Sequence, residues 1–560
     1  PSTRPSPSRA SFAHAYRAST PAAGVGRRLL DWWSLPALPV AAPVAYLLWL
    51  ALTQAPPDEV LQSLQRANVL QLVWQSGLVA LVATAWACAI GVPWGWLVAR
   101  TDIPGRAVFR WLAPLPLAVP PYVGALVYAS LLAPGGALHQ AVAAWQSAPV
   151  PRVPFPDVLY SPFGAGFVLG TFTAPHVTLA VMAGLDRSSP SLLEAAQSLG
   201  HGARSTFWRV TLPLLRPAIL SGCLLVFVYG WVDFGAVSLL RVRTFTTAIY
   251  NQLLAGFSLP ASAALSLLLV AFALALLALQ GVALGQARYS RLDVRSQRQV
   301  LQPLGAWRWF GFGYLVCVGL LTLGVPLGVL SWQTTRLGGP GLAKFVADQL
   351  VFLGNSVAVS VAGATLALAV GCLYGWVRWS GGRRGELGVL LLQAGYGVPG
   401  TVLGLGLVGL TLAVLPPVYG TPLVLVVAYA ALFAAPALQS VSAALASVPR
   451  RYAEAARALG RGPLSAFASV VGPLIGPGLV GAWLLVFALA MRELSATIIL
   501  RPAGFDTLAV RVWVHTLDVG PDPRGAAAAL LLILTTGAAW LLAMRLERTA
   551  GRQAATRNTR

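Results

Sequence analysis

The sequence predicts an all-α polytopic membrane protein, about twelve transmembrane helices in two parallel six-helix repeats. Three observations predict it. Hydrophobic residues make up 57% of the chain and charged residues only 10%, against about 25% charged in soluble domains. Apolar runs of about 20 residues, enough to cross a bilayer, recur along the whole chain. Landmarks in the first half return in the second at near-constant offsets.

Taken in order, residues 1–34 read as a disordered basic tail rich in Ser, Pro and Arg. The run near 35–54 lacks the cleavage pattern of a secretory signal and reads as a first span, with an outer loop to residue 68. A first module, 69–284, holds runs near 69–98, 108–133, 163–184, 213–240 and 260–284. Pro114–Pro121 marks a kink in the second of these. The 134–162 loop, with Pro149-Val150-Pro151-Arg152-Val153-Pro154, is too proline-rich to span and reads as an extracytoplasmic surface. Residues 285–308, with Arg288, Arg291, Arg295 and Arg298, form a polar linker. A seventh span and its loop take 309–350. A second module, 351–545, carries runs near 351–377, 387–415, 421–443, 473–500 and 525–544, before a basic tail at 546–560. Trp32, Trp33, Trp307 and Trp309 suit interfacial anchors.

Gln75-Ser76 matches Asn355-Ser356, Gly91 matches Gly371, and Gly95-Trp96 matches Gly375-Trp376, all 280 residues apart. Val119-Pro120 matches Val398-Pro399 at 279. Six spans per half is an even number, so both halves enter the bilayer in the same sense. That gives a parallel repeat about an axis along the membrane normal. With the N-terminus inside, cytoplasmic segments hold roughly 29 Lys and Arg and outer segments roughly 9, so both termini are expected in the cytoplasm.

The chain is organised around a short stretch present twice. Glu194-Ala195-Ala196, Gly200 and Pro213 return as Glu454-Ala455-Ala456, Gly460 and Pro473, all 260 residues later. Both copies lie in polar, arginine-bearing gaps on the cytoplasmic side. Ser189 and Pro190 suit a helix start, and Gly200 and Gly460 suit a left-handed stop. The alanines keep one face slim enough for a partner's groove, and each glutamate offers one charge to a partner's base. Two such helices at matching places are where an external motor would grip a membrane channel. A lone amphipathic loop helix is the bland alternative, which the repetition disfavours.

The formal charge of +22 does not indicate nucleic acid, because the arginines lie between apolar runs rather than in one patch. Cys88, Cys223, Cys317 and Cys372 all fall within apolar runs and read as small packing residues. The single lysine, Lys344, sits in Leu342-Ala343-Lys344-Phe345 and cannot serve a phosphate-binding loop. Hydrolysis of ATP therefore needs another chain. No metal-ligand spacing and no catalytic constellation is found, so no catalytic or metal residue is expected.

On the twin Glu-Ala-Ala…Gly…Pro stretches the sequence resembles the permease subunits of type I ABC importers, in the form that fuses two permease modules. The resemblance covers roughly residues 70–280 and 350–545. It implies a type I ABC permease core in each half and an ATPase-coupling role for Glu194, Ala195, Ala196, Gly200, Pro213, Glu454, Ala455, Ala456, Gly460 and Pro473. It also implies a homodimeric cytoplasmic ATPase carrying ATP and Mg, a periplasmic substrate-binding protein, and residence in a bacterial inner membrane. Gly472 departs from the apolar residue that the family favours before the proline. Several stretches are similar to the ferric-iron branch: Leu115–Val123, Asp233–Ser238, Thr244–Tyr250, Glu493–Thr497 and Arg501–Ala509. There Ser495 stands where that branch has proline. Thiamine, phosphonate or polyamine would suit the same layout.

Asp233 and Glu493 are also 260 apart, each 20 residues beyond its proline, so roughly 30 Å along a helix and near the outer mouth. An ionisable residue there is a candidate for the translocation path. As helix ends at an interface they would be structural, with Arg492 neutralising Glu493. His176 reads as a packed core residue. An ion-driven secondary transporter would need more ionisable residues in mid-span, and a membrane enzyme would need clustered catalytic groups at one face.

Overall fold

Proline, glycine and carboxylates decide where each apolar run breaks. The computed structural model describes residues 32–54, 57–146, 155–187, 198–200, 202–254, 258–285, 301–379, 385–446, 448–449, 451–519 and 522–558. Eleven helices among them are long and apolar enough to span a bilayer, and one bent pair makes a twelfth. No strand occurs among the described residues; a lone bridge joins Thr101 to Gln302.

The first half begins with α1 (Leu38–Thr53) and α2 (Pro57–Ala67), then the long α3 (Val69–Arg100). The run expected at 108–133 is not one helix. It divides into α4 (Arg106–Leu112), a 3-10 turn and α5 (Pro121–Leu132). Val119 and Pro120 are extended there, as prolines exclude the helical conformation before them and supply no N–H. The 134–162 loop holds α6 (Ala137–Gln146) and α7 (Phe155–Leu159). Then come α8 (Pro162–Arg187), α9 (Leu212–Val232), α10 (Gly235–Leu239), α11 (Phe245–Leu254) and α12 (Leu259–Gly285). The run expected to reach residue 240 thus stops at Val232, where Asp233 starts a new short helix.

The second half repeats this plan. Its first span is α13 (Trp307–Gly319) and α14 (Val325–Thr335), joined by a π-turn. The long α15 (Gly339–Trp379) corresponds to α3. α16 (Glu386–Gly395) and α17 (Gly400–Val414) meet at 118° beside Pro399, the counterpart of Pro120. α18 (Pro422–Ala446), α19 (Arg451–Ala458), α20 (Gly472–Met491), α21 (Ser495–Leu500), α22 (Leu508–Val519) and α23 (Pro523–Asn558) complete it. Here too the run expected at 473–500 breaks, at Met491. Of the four cysteines, Cys317 is exposed rather than packed.

The repeated glycines hold the two central helix pairs together. A Cβ on Gly91 of α3 would lie 2.8 Å from Val177 Cβ and 3.0 Å from Ala174 O of α8. A Cβ on Gly371 of α15 would lie 2.9 Å from the backbone of Ala437 and Leu438 in α18. Gly95 and Gly375, one turn on, are equally tight against α8 and Val441. This small-xxx-small pattern lets backbones approach where water drives no association. Gly91→Leu combined with Gly371→Leu is expected to lower the unfolding midpoint in detergent sharply, since overpacking costs about 1–3 kcal/mol per site.

The first span of each half crosses to the other module. Gly406 leaves room for Pro43 of α1, whose O lies 2.6 Å from where a Cβ would be, and Gly395 does the same for Val40. Conversely, Tyr128 donates to Leu321 O at 3.1 Å and Tyr314 donates to Ile90 O at 2.9 Å, fastening the seventh span to the first module.

Candidate coupling face and central cavity

At one end of the bundle, α19 carries the second copy of the repeated stretch. Its last turn closes by a Schellman arrangement: Gly460 has φ 82°, and Arg461 N–H reaches Ala456 O at 3.1 Å. Gly200 has φ 81° in the first copy. A left-handed residue is therefore required at both positions, and glycine supplies it without strain. Glu194, Ala195 and Ala196 lie outside the described residues; Pro213 sits in the first turn of α9 as Pro473 does in α20.

The faces of α19 are distinct. Glu454, Ala455 and Leu459 are exposed, whereas Ala453 and Ala456 are buried. Ala453 packs with Val441, Leu445 and Val471 of its own module. The reading that both alanines thin a face for a partner therefore needs correction: Ala455 faces outward and Ala456 packs inward. Leu459 is 83% exposed and its counterpart Leu199 is 78% exposed, so each copy presents an apolar side chain next to its glycine.

Two residues the sequence reading missed tie this end to the spans. Phe207 and Phe467, 260 apart, each open a π-turn in which the residue before the motif's proline donates to the phenylalanine carbonyl. Trp96 of α3 meets Phe207 edge-on at 5.1 Å, and Trp376 of α15 meets Phe467 at 4.9 Å. The Gly-Trp repeat was the available signal; its aromatic partner, equally repeated, completes it.

At the far ends of α9 and α20 stand Asp233 and Glu493. Asp233 Oδ2 accepts from the Ala236 and Val237 amides at 2.9 and 3.2 Å. Glu493 Oε1 accepts from the Ala496 amide at 2.9 Å. Each carboxylate thus begins the short helix that follows it, which is why both apolar runs end there. Arg492 does not pair with Glu493; its guanidinium donates to Leu117 O, across the seam between the modules. Trp513 donates to Ser238 Oγ at 2.9 Å over the same seam.

Both carboxylates line a cavity of about 170 Å³ between the modules, with Arg492, His176, Tyr229 and Tyr122. His176 is not enclosed in a core: it faces this cavity and stacks on Tyr229 at 5.2 Å. A second cavity of about 110 Å³ shares Tyr229 and Phe433 and is lined by Leu225, Val228 and Tyr396, nearer the coupling end. The two follow the seam between α9 and α20. Among the described residues no group of three or more His, Cys, Asp or Glu converges on one point.

The family of binding-protein-dependent transport system inner membrane components matches residues 91–284 and again 363–548. The chain belongs to this family. It is a multi-pass permease of an ABC transporter, not itself an enzyme, and its family works with an ATPase and a substrate-binding protein. The Fe(3+)-transport system permease protein FbpB 2 of Haemophilus influenzae is 30% identical over 517 residues, 89% of this permease and 94% of its own length. The sulfate transport system permease protein CysT of Salmonella typhimurium is 30% identical over 206 residues, 36% of this permease and 71% of its own. A probable molybdenum ABC transporter permease of Haloferax volcanii is 32% identical over 207 residues, 37% and 72% respectively. The latter two match the length of one module, whereas the iron relative shares the fused layout.

Proposed function

We propose that this permease carries ferric iron, delivered by a periplasmic binding protein, across a bacterial inner membrane. The observation that carries the substrate is the match to an iron permease over nearly the full length of both chains. The central cavity is consistent with it: two carboxylates and two phenols, oxygen donors that suit a hard cation, line it beside His176 and the Arg492 guanidinium, without converging into a metal-holding group among the described residues. A trivalent ion cannot enter hydrocarbon bare, so such a lining must replace part of its hydration. ATP and Mg are held by a homodimeric ATPase on the cytoplasmic side. That motor grips the two Glu-Ala-Ala helices, and both termini share its compartment.

In this cycle ATP closes the motor dimer, the coupling helices approach one another, and the π-turn with its Trp–Phe contact passes the push to α9 and α20. Rigid-body rocking of one module against the other then opens the seam to the other side.

The test is uptake into proteoliposomes holding the permease, its ATPase and the binding protein of the same system. ATP-dependent entry of radioactive ferric iron is expected, without entry of sulfate or molybdate. Entry of an oxyanion instead would overturn the substrate, and iron entry driven by an ion gradient without ATP would overturn the class.

A further inference from the structure

The two modules differ at one matched arginine on the face opposite the coupling helices. Arg241 follows α10 and Arg501 follows α21, 260 residues later. Arg501 has an ordinary backbone, φ −58°, and is ion-paired with Asp506, to which Arg511 is also paired at 3.3 Å. Arg241 has φ 56°, in the left-handed region that favours glycine. It occupies the stop of a Schellman closure, in which Val242 N–H reaches Val237 O at 2.9 Å. Among the described residues no carboxylate pairs with it.

A glycine would suit this turn better, so the arginine sits here at a cost to the backbone. What it provides is an exposed guanidinium, held over the Tyr160 ring at 5.9 Å. Tyr160 belongs to the 134–162 loop, where the first half is longer than the second. The same loop carries Trp145, 83% exposed, an aromatic of the kind that anchors protein interfaces. Arg243, two residues on, is spoken for: it donates to Ala67 O at 3.0 Å, at the C-terminus of α2. Arg66, Arg336, Lys344 and Arg524 are exposed on this face too, but among the described cations Arg241 alone takes a left-handed backbone.

We propose that Arg241, braced by Tyr160, receives an acidic side chain of the soluble binding protein. In the second module Asp506 occupies the matching arginine, so of this matched pair only Arg241 is open to a partner's charge. This rests on the reading that the far face is extracytoplasmic and meets such a protein.

The experiment uses the full chain in nanodiscs, in zwitterionic lipid and with anionic lipid added, titrated with the purified iron-loaded binding protein at low and high salt. Arg241→Gly suits the backbone and is expected to fold with an unchanged or higher unfolding midpoint. It should nonetheless weaken binding about tenfold in both lipids and flatten the salt dependence, as loss of a docked charge pair does. Arg241→Glu should weaken it further, and Arg501→Gln should leave it unchanged. Unaltered affinity in Arg241→Gly overturns the proposal. So does a loss confined to anionic lipid, which would make Arg241 a headgroup ligand. Absence of binding by the wild-type chain would instead overturn the underlying reading.

Discussion

Glu194→Lys combined with Glu454→Lys is expected to abolish ATP-driven uptake while leaving the membrane domain folded. Glu454 is exposed on α19, beside Ala455 and the exposed Leu459. The fold therefore loses little: exposed charge substitutions cost less than about 0.5 kcal/mol. Under the proposed docking, a partner cation desolvated against that carboxylate loses far more. Truncating one member of a buried charge pair at an interface costs about 2–5 kcal/mol, and reversal adds repulsion. At about 3 kcal/mol per helix, affinity for the ATPase falls roughly 100-fold for each copy. Co-purification of the ATPase with the permease, and the ratio of ions moved to ATP hydrolysed, are the measurements. Full assembly and uptake in the double variant would remove the docking role.

The second large effect is expected from Asp233→Asn with Glu493→Gln. An amide oxygen can still accept from the Ala236 and Ala496 amides, so the starts of α10 and α21 are retained and only charge is lost. Uptake of the trivalent ion is expected to fall at least tenfold, while ATP hydrolysis and assembly persist. The alanine pair, Asp233→Ala with Glu493→Ala, is expected to add instability of about 1 kcal/mol per site through loss of the caps. Equal uptake by the amide variant and the wild type would leave the carboxylates as helix starters alone. The contrast between the two pairs separates a role in the path from a role in the fold.

Most of the architecture was legible because hydrocarbon imposes long apolar runs and because the chain states its plan twice. The elbows at Pro120 and Pro399 were visible as prolines, but a sharp bend and a mild kink share that composition; which one forms is decided by what packs around the break. The ends of α9 and α20 were overrun because Gly235–Leu240 and Ala496–Leu500 are as apolar as the spans. Only the side-chain bonds of Asp233 and Glu493 to the following amides mark the restart. Conversely, the 260-residue match brought those carboxylates together on paper, and they do line one cavity. Arg492 turning to Leu117 and His176 facing that cavity depended on contacts between modules, which no single-chain periodicity contains.

The exchange of first spans has a consequence for biosynthesis. Pro43 finds its neighbour Gly406 only after roughly 360 further residues have left the ribosome, a delay of roughly 20–70 s at ordinary elongation rates. During that interval α1 can pack on α12 of its own half but lacks its second groove, so it is among the last spans to settle fully.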